Sequence, residues 1–153
     1  GEGWNVVVLG AGERQMEDTV GHHANTNPGR VAAFIGYDET LAHLIYAGVD
    51  ALVIPSRFEP CGLTQMIAMR YGTLPIARNT GGLHDSILHD QTGFLFDATN
   101  SEGVLWASGV AKGVYDQPKL WKERQILAMQ QDFSWERSAK AYEALYQDVI
   151  QKR

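Results

Sequence analysis

The sequence predicts an α/β fold built on an open parallel sheet with helices on both faces. Two observations carry this. Residues 51–54 form a wholly apolar run of strand length that stops at Pro55, and from Gly62 onward Leu63, Met66, Ile67 and Arg70 recur at helical spacing. The same strand, turn and helix order follows at once in residues 73–78, the Asn79-Thr80-Gly81-Gly82-Leu83 turn and a helical start at His84. Ligands of open parallel sheets bind outside the carboxyl ends of the strands, which is where both turns lie.

Each remaining element has its own signal. Residues 4–9 read as a buried strand that ends in Gly10-Ala11-Gly12. The third glycine of a dinucleotide fingerprint would fall at Gln15, so these glycines read as a tight turn and a nicotinamide or flavin cofactor is disfavoured. Residues 13–24 are helical, with Met16 and Val20 on an inner face, and residues 25–29 form a loop. The adjacent His22 and His23 point to different faces, which disfavours metal binding. Residues 31–36 are the second strand, and Asp38 caps a helix that carries Leu41, Leu44 and Ile45 inward.

Beyond the two central turns, residues 91–93 break the chain before a last short strand at 94–96. Three helices close it. The first is capped by Asn100 or Ser101 and runs to about Val114, carrying Val104, Leu105 and Val110. The second begins at Pro118 and has Leu120, Trp121, Leu127 and Ala128 as its face. The third, residues 134–151, is capped by Ser134 and bears a stripe of Trp135, Ala139, Tyr142, Tyr146 and Val149.

Composition narrows the function. At 153 residues with 44% hydrophobic and 20% charged side chains, the chain reads as one soluble domain with room for a single core. A net charge of -5 without a lysine or arginine cluster argues against a nucleic-acid partner, whose backbone demands a basic face. The sequence has no run of about 20 apolar residues and no basic start followed by a short apolar stretch, so no membrane partner and no signal peptide are read. The lone Cys61 rules out an internal disulfide and fits a reducing compartment.

The chemistry concentrates between Glu59 and Thr64. The first backbone N–H groups of a helix, here near Cys61, Gly62, Leu63 and Thr64, lack intrahelical partners and point toward the strand's carboxyl end, where they can hold an anion. Gly62 removes a side chain that would keep a phosphate off the backbone, Thr64 adds a hydroxyl donor, and Glu59 can receive the hydroxyls of a sugar. Gly81 and Gly82 are further candidates from the second turn. A plainer reading stands beside this one: Pro60 and Gly62 are ordinary punctuation, and an acid near a helix start complements the dipole. Tyr37, at a strand's carboxyl end, either stacks on a nucleobase or packs in its loop.

Several stretches together carry a resemblance. Pro55-Ser-Arg-Phe-Glu-Pro-Cys-Gly-Leu-Thr-Gln65 and Met69-Arg-Tyr-Gly-Thr-Leu-Pro-Ile-Ala-Arg-Asn-Thr-Gly-Gly-Leu83, with Ile35-Gly-Tyr37, Thr92-Gly-Phe-Leu-Phe96 and Asp132-Phe-Ser-Trp135, resemble the nucleotide-binding domain of bacterial glycogen synthases and plant or algal starch synthases. Asn79 departs from the pattern, since the family usually has a basic residue before Thr-Gly-Gly-Leu.

The resemblance implies a Rossmann-like carboxyl-terminal lobe, residues 1–153, of a two-lobed glycosyltransferase-B fold. The acceptor glucan and several catalytic groups belong to the other lobe, whose motifs do not occur here. The first strand of this lobe, with its diphosphate-clamping arginine and lysine, is also missing, so two strand edges are expected to lie unpaired. The terminal helix 134–151 is expected to pack on the other lobe, leaving a sticky patch and a route to self-association through that helix or the sheet edges.

The implied activity is the donor half of a retaining α-1,4-glucan synthase, moving glucose from ADP-glucose to the non-reducing end of glycogen or starch in a bacterial cytoplasm or a plastid. In that reaction the leaving diphosphate needs stabilisation while an oxocarbenium-like sugar is held for attack. Gly62, Leu63 and Thr64 take the first task, Cys61 lines the sugar pocket, Tyr37 stacks on adenine, and Glu59 is the catalytic carboxylate, acting by position and charge. No metal or cofactor is expected, as backbone dipoles serve the phosphate and no Asp-x-Asp occurs. The choice of ADP-glucose over UDP-glucose rests on the resemblance. Two other classes remain: a non-catalytic nucleotide-binding module, which suits the chain without its other lobe, and a hydrolase using Cys61 at a helix start with His84 and Asp85 nearby.

Overall fold

A computed structural model describes residues 3–152; the outermost residues of the predicted 1–153 lobe, 1, 2 and 153, lie outside that range. The order is β1 (Val6–Gly10), α1 (Arg14–Thr26), β2 (Val31–Ile35), α2 (Glu39–Gly48), β3 (Ala51–Ile54), α3 (Thr64–Tyr71), β4 (Leu74–Arg78), α4 (Gly81–Ser86), β5 (Phe94–Phe96), α5 (Ser101–Tyr115), α6 (Pro118–Met129) and α7 (Trp135–Gln151). Every paired strand runs parallel to its neighbour, as the alternation of strand and helix predicts. Composition reads as one domain, yet the chain divides into two compact units, Gly1–Asp50 and Ala51–Arg153. Each unit has its own sheet, β1-β2 in the first and β3-β4-β5 in the second, so β1 and β3 each have one strand neighbour.

In the first unit, β1 and β2 pair from Val6 with Val31 to Gly10 with Ile35. The glycine turn after β1 is filled from within: the Glu17 carboxylate accepts the Gly12 N–H at 2.9 Å, a helix-start carboxylate in the place an anion would take. Asp38 caps α2 as expected, accepting the Leu41 N–H at 2.8 Å. Burial differs from the sequence reading. None of the described residues up to Asp50 is fully buried, β1 is half-exposed where a buried strand was expected, and Leu44 is 64% exposed although its spacing placed it inward. With one strand neighbour and a small complement of helix, β1 has too little structure around it to be enclosed.

The core belongs to the second unit. β4 lies between β3 and β5 and is buried from Leu74 to Ala77, which is why its sequence is apolar without alternation. Phe94 and Phe96 of β5, Met69 of α3 and Trp121 of α6 close over it, with the Trp121 ring stacked on Phe94 at 6.3 Å between centroids.

Two helix faces differ from expectation. The inward face of α5 is Gly103, Ala107, Ala111 and Val114, while Leu105 is exposed. Small residues are required there, since a Cβ on Gly103 would stand 2.9 Å from the Ala98 carbonyl oxygen. On α6 the inward residues are Trp121, Arg124 and Ala128, and Leu127 is 43% exposed. Arg124 takes the inward place because its guanidinium lies over the Phe94 ring, 5.7 Å from the centroid, while its Nη1 lies 2.9 Å from Asp90 Oδ1.

α7 is capped by Ser134, which accepts the Arg137 N–H, and no residue on it is buried. Trp135, Tyr142, Tyr146 and Val149 form an exposed stripe. Among the described residues no helix is long and apolar enough to cross a membrane.

Candidate functional site

The second unit brings the two glycine turns into contact. In parallel register Ile54 pairs with Ala77, so the chain leaves β3 and β4 at the same sheet edge, and the 55–63 loop lies against the start of α4. The Gly82 N–H donates to the Glu59 carbonyl at 3.0 Å. A Cβ on Gly81 would sit 2.0 Å from that same oxygen, and one on Gly82 would sit 2.1 Å from the Cys61 oxygen. Both glycines are therefore needed for backbone to meet backbone, and the Gly82 N–H is already committed within the protein. The helix also begins at Gly81, three residues before the expected His84, because Thr80 accepts the Leu83 and His84 amides.

The loop is held by its carbonyls. Arg78 Nη1 donates to the Arg57 carbonyl at 2.5 Å, Gly82 to that of Glu59, and Gln65 Nε2 to those of Cys61 and Gly62 at 3.1 and 2.9 Å. In a trans peptide the carbonyl of one residue and the N–H of the next point in opposite directions. Tying down the Cys61 and Gly62 carbonyls therefore turns the N–H groups of Gly62 and Leu63 the other way. Neither amide has an acceptor among the described residues, and they continue into the unpartnered first turn of α3 at Thr64. The α3 N-cap, Leu63, supplies no side-chain cap.

Side chains around this edge are uncommitted. Glu59 is half-buried, and among the described residues its carboxylate has neither a hydrogen bond nor an ion pair. Leu63 and Thr64 are exposed, as is Cys61, whose Sγ reaches just the Gly62 carbonyl, at 3.7 Å. Gly62 has φ +72°, and a Cβ there would lie 2.6 Å from Gln65 Oε1, so two constraints demand glycine. Tyr37 belongs to the first unit, where it follows Gly36 at the end of β2 and is 88% exposed.

The thiol hydrolase reading finds no catalytic pair. His84 Nδ1 lies 2.7 Å from Asn79 Oδ1, and Asn79 Nδ2 donates to Asp97 at 2.8 Å, so the imidazole is engaged with the residue that follows β4 and not with Cys61. Asn79 is thus a bridge between the ends of β4 and β5.

Sequence reasoning missed Gln65 and Arg78. Gln65 is completely buried; besides the two loop carbonyls its Nε2 donates to Ser86 Oγ at 3.0 Å, and Ser86 donates in turn to the Gly82 carbonyl. One signal was available: Gln65 shares the inner face of α3 with Ala68 and Met69, and a glutamine on such a face needs local polar partners. Arg78 gave none, since its partners lie about twenty residues upstream.

The carboxyl edge of these parallel βα units presents free amides beside an unpaired acid, which is where α/β domains that have anionic ligands hold them. Residues 1–112 match the family described as glycosyl transferases group 1, and the chain belongs to that family. It is 44% identical to a glycogen synthase of Rhizobium etli and 45% identical to one of Geobacillus stearothermophilus, aligning over 98% and 99% of its own length. Among solved structures, the catalytic domain of starch synthase IV from Arabidopsis thaliana, bound to ADP and acarbose, is similar with a TM-score of 0.83 and 39% identity over 98% of this chain. The chain spans about a third of the length of each of these relatives, 33%, 32% and 33%.

Proposed function

We propose that this chain is the donor-binding lobe of a retaining α-1,4-glucan synthase that transfers glucose from ADP-glucose to the non-reducing end of glycogen, in a bacterial cytoplasm. The observation that supports this most is the outward turn of the Gly62 and Leu63 amides next to the uncommitted Glu59. On this reading the amides and the Thr64 hydroxyl hold the diphosphate, so that negative charge arriving on the leaving group meets donors already in place. Glu59 binds hydroxyls of the hexose and sets a negative charge near the developing oxocarbenium ion, as a positioning and electrostatic group. Cys61 lines the sugar side, and Gly81 and Gly82 act by letting the two loops meet. The acceptor glucan and the remaining catalytic groups lie on a second lobe, and the exposed stripe of α7 packs against it.

Two experiments test this. Calorimetric titration of the chain with ADP, ADP-glucose and UDP-glucose should show binding of the adenine compounds, with no ADP release on adding glycogen. Grafted into one of the glycogen synthases in place of the segment it matches, the chain should restore turnover, and Glu59→Gln in that graft should lower kcat by a factor of about 100 or more, the scale of losing one preorganised transition-state group. Full activity of the Glu59→Gln graft would remove the assigned role.

A further inference from the structure

Arg78 ends β4 one residue past the pairing of Ala77 with Ile54, which brings its side chain beneath the start of the 55–63 loop. Its Nη1 donates to the Arg57 carbonyl at 2.5 Å and stands 3.5 Å from that of Ser56. Among the described residues, residues 56–58 have no other hydrogen bond, and Arg78 has no carboxylate partner. Its Nε is fully enclosed without an acceptor, so the guanidinium is held in place against the loop instead of reaching for solvent. A half-buried cation whose Nη1 serves neutral carbonyls while its Nε has no acceptor is an expensive arrangement unless it sets a backbone conformation.

We propose that Arg78 is a positioning residue for the donor site: by gripping the Ser56 and Arg57 carbonyls it fixes the first half of the loop, as Gly82 and Gln65 fix the second, and so sets where Glu59 stands. Nη1 alone makes both contacts, and the planar guanidinium holds that one nitrogen in a fixed place against the loop, where an ammonium on a flexible stem would wander. The inference rests on the donor-site reading for its consequence in binding, and the brace itself is measurable without nucleotide.

The test uses trypsin on the full chain, since the bond after Arg57 joins two exposed residues and becomes a good substrate when the loop is released. Arg78→Met should raise cleavage after Arg57 at least tenfold while cleavage after Lys112, within α5, stays unchanged, and should weaken ADP binding at least tenfold. Arg78→Lys, which keeps the charge on a more flexible ammonium, should fall between. Unchanged cleavage after Arg57, or a parallel rise after Lys112 that reports general unfolding, overturns the brace. Loop release in Arg78→Met with ADP binding at the wild-type level overturns its role in the site. A wild-type chain that fails to bind ADP while its loop responds as described overturns the donor reading and leaves the brace supported.

Discussion

The amide of Gly82 donates to the carbonyl of Glu59 at 3.0 Å, across 23 positions of sequence, and in doing so fastens the start of one βα turn to the loop of the one before it. The bond needs the two chains of backbone in direct contact, which is why a Cβ on Gly82 would lie 2.1 Å from the Cys61 oxygen.

Gly82→Ala should therefore destabilise the chain by about 3 kcal/mol, the upper end for overpacking, because the atoms it meets are backbone and cannot rotate away. Gly109→Ala is the matched control. Its Cβ meets nothing within 4 Å in the middle of α5, so it should stabilise by about 0.5–1 kcal/mol. Urea denaturation of both variants checks the pair, and equal effects would contradict the contact.

Arg124 and Asp90 should respond unequally to loss of their partner. Arg124 is 8% exposed whereas the Asp90 side chain is 56% exposed, so an Asp90 left alone is hydrated and an Arg124 left alone is not. Arg124→Met, which fills the buried place with a long apolar side chain, should cost less than about 1 kcal/mol, while Asp90→Ala should cost about 2–3 kcal/mol, a buried-pair value reduced for partial exposure. The φ of +61° at Asp90 adds to the second figure, as alanine tolerates that conformation poorly. Denaturation midpoints that change by the same amount would reject this account.

The entry to α7 should depend on pH. Hydrogen bonds from Ser134, first its side chain and then its N–H at 2.9 Å, hold the Asp132 carboxyl below its ordinary value. A depressed carboxyl pKa contributes stability that is complete above the unfolded value of about 3.9 and is lost as pH falls through the lower folded value. Exchange of the Ser134 amide should thus accelerate below about pH 4 beyond its intrinsic trend, and Asp132→Asn should abolish that step.

α7 itself should be the least protected helix of its unit. Its 17 residues include none that is buried, so opening it exposes no core and its amides are guarded by local helix formation alone. In hydrogen exchange its amides should appear in the fastest class, with those of β4 in the slowest. Protection of α7 equal to that of β4 in the chain by itself would mean that the stripe of Trp135, Tyr142 and Tyr146 is covered by another copy.

How much of this was legible in the sequence follows the range of each interaction. Local pattern was sufficient for the order of strands and helices, for the caps at Asp38 and Ser134, and for the helix start after Gly62, since each depends on neighbours within about four residues; between Asn100 and Ser101 as the cap of α5 the structure chose Asn100. The motif from Pro55 to Gln65 likewise pointed to the family to which the chain belongs. Tertiary structure alone decided that Gly81 and Gly82 serve backbone contact, that Gln65 and Arg78 hold the loop, that Arg124 and not Leu127 faces the core, and that β1 goes uncovered. Apart from the Gln65 bonds to Cys61 and Gly62, four and three residues back, these depend on partners some twenty or more residues away, or on how much chain surrounds a strand, and no periodicity within a single element carries either quantity.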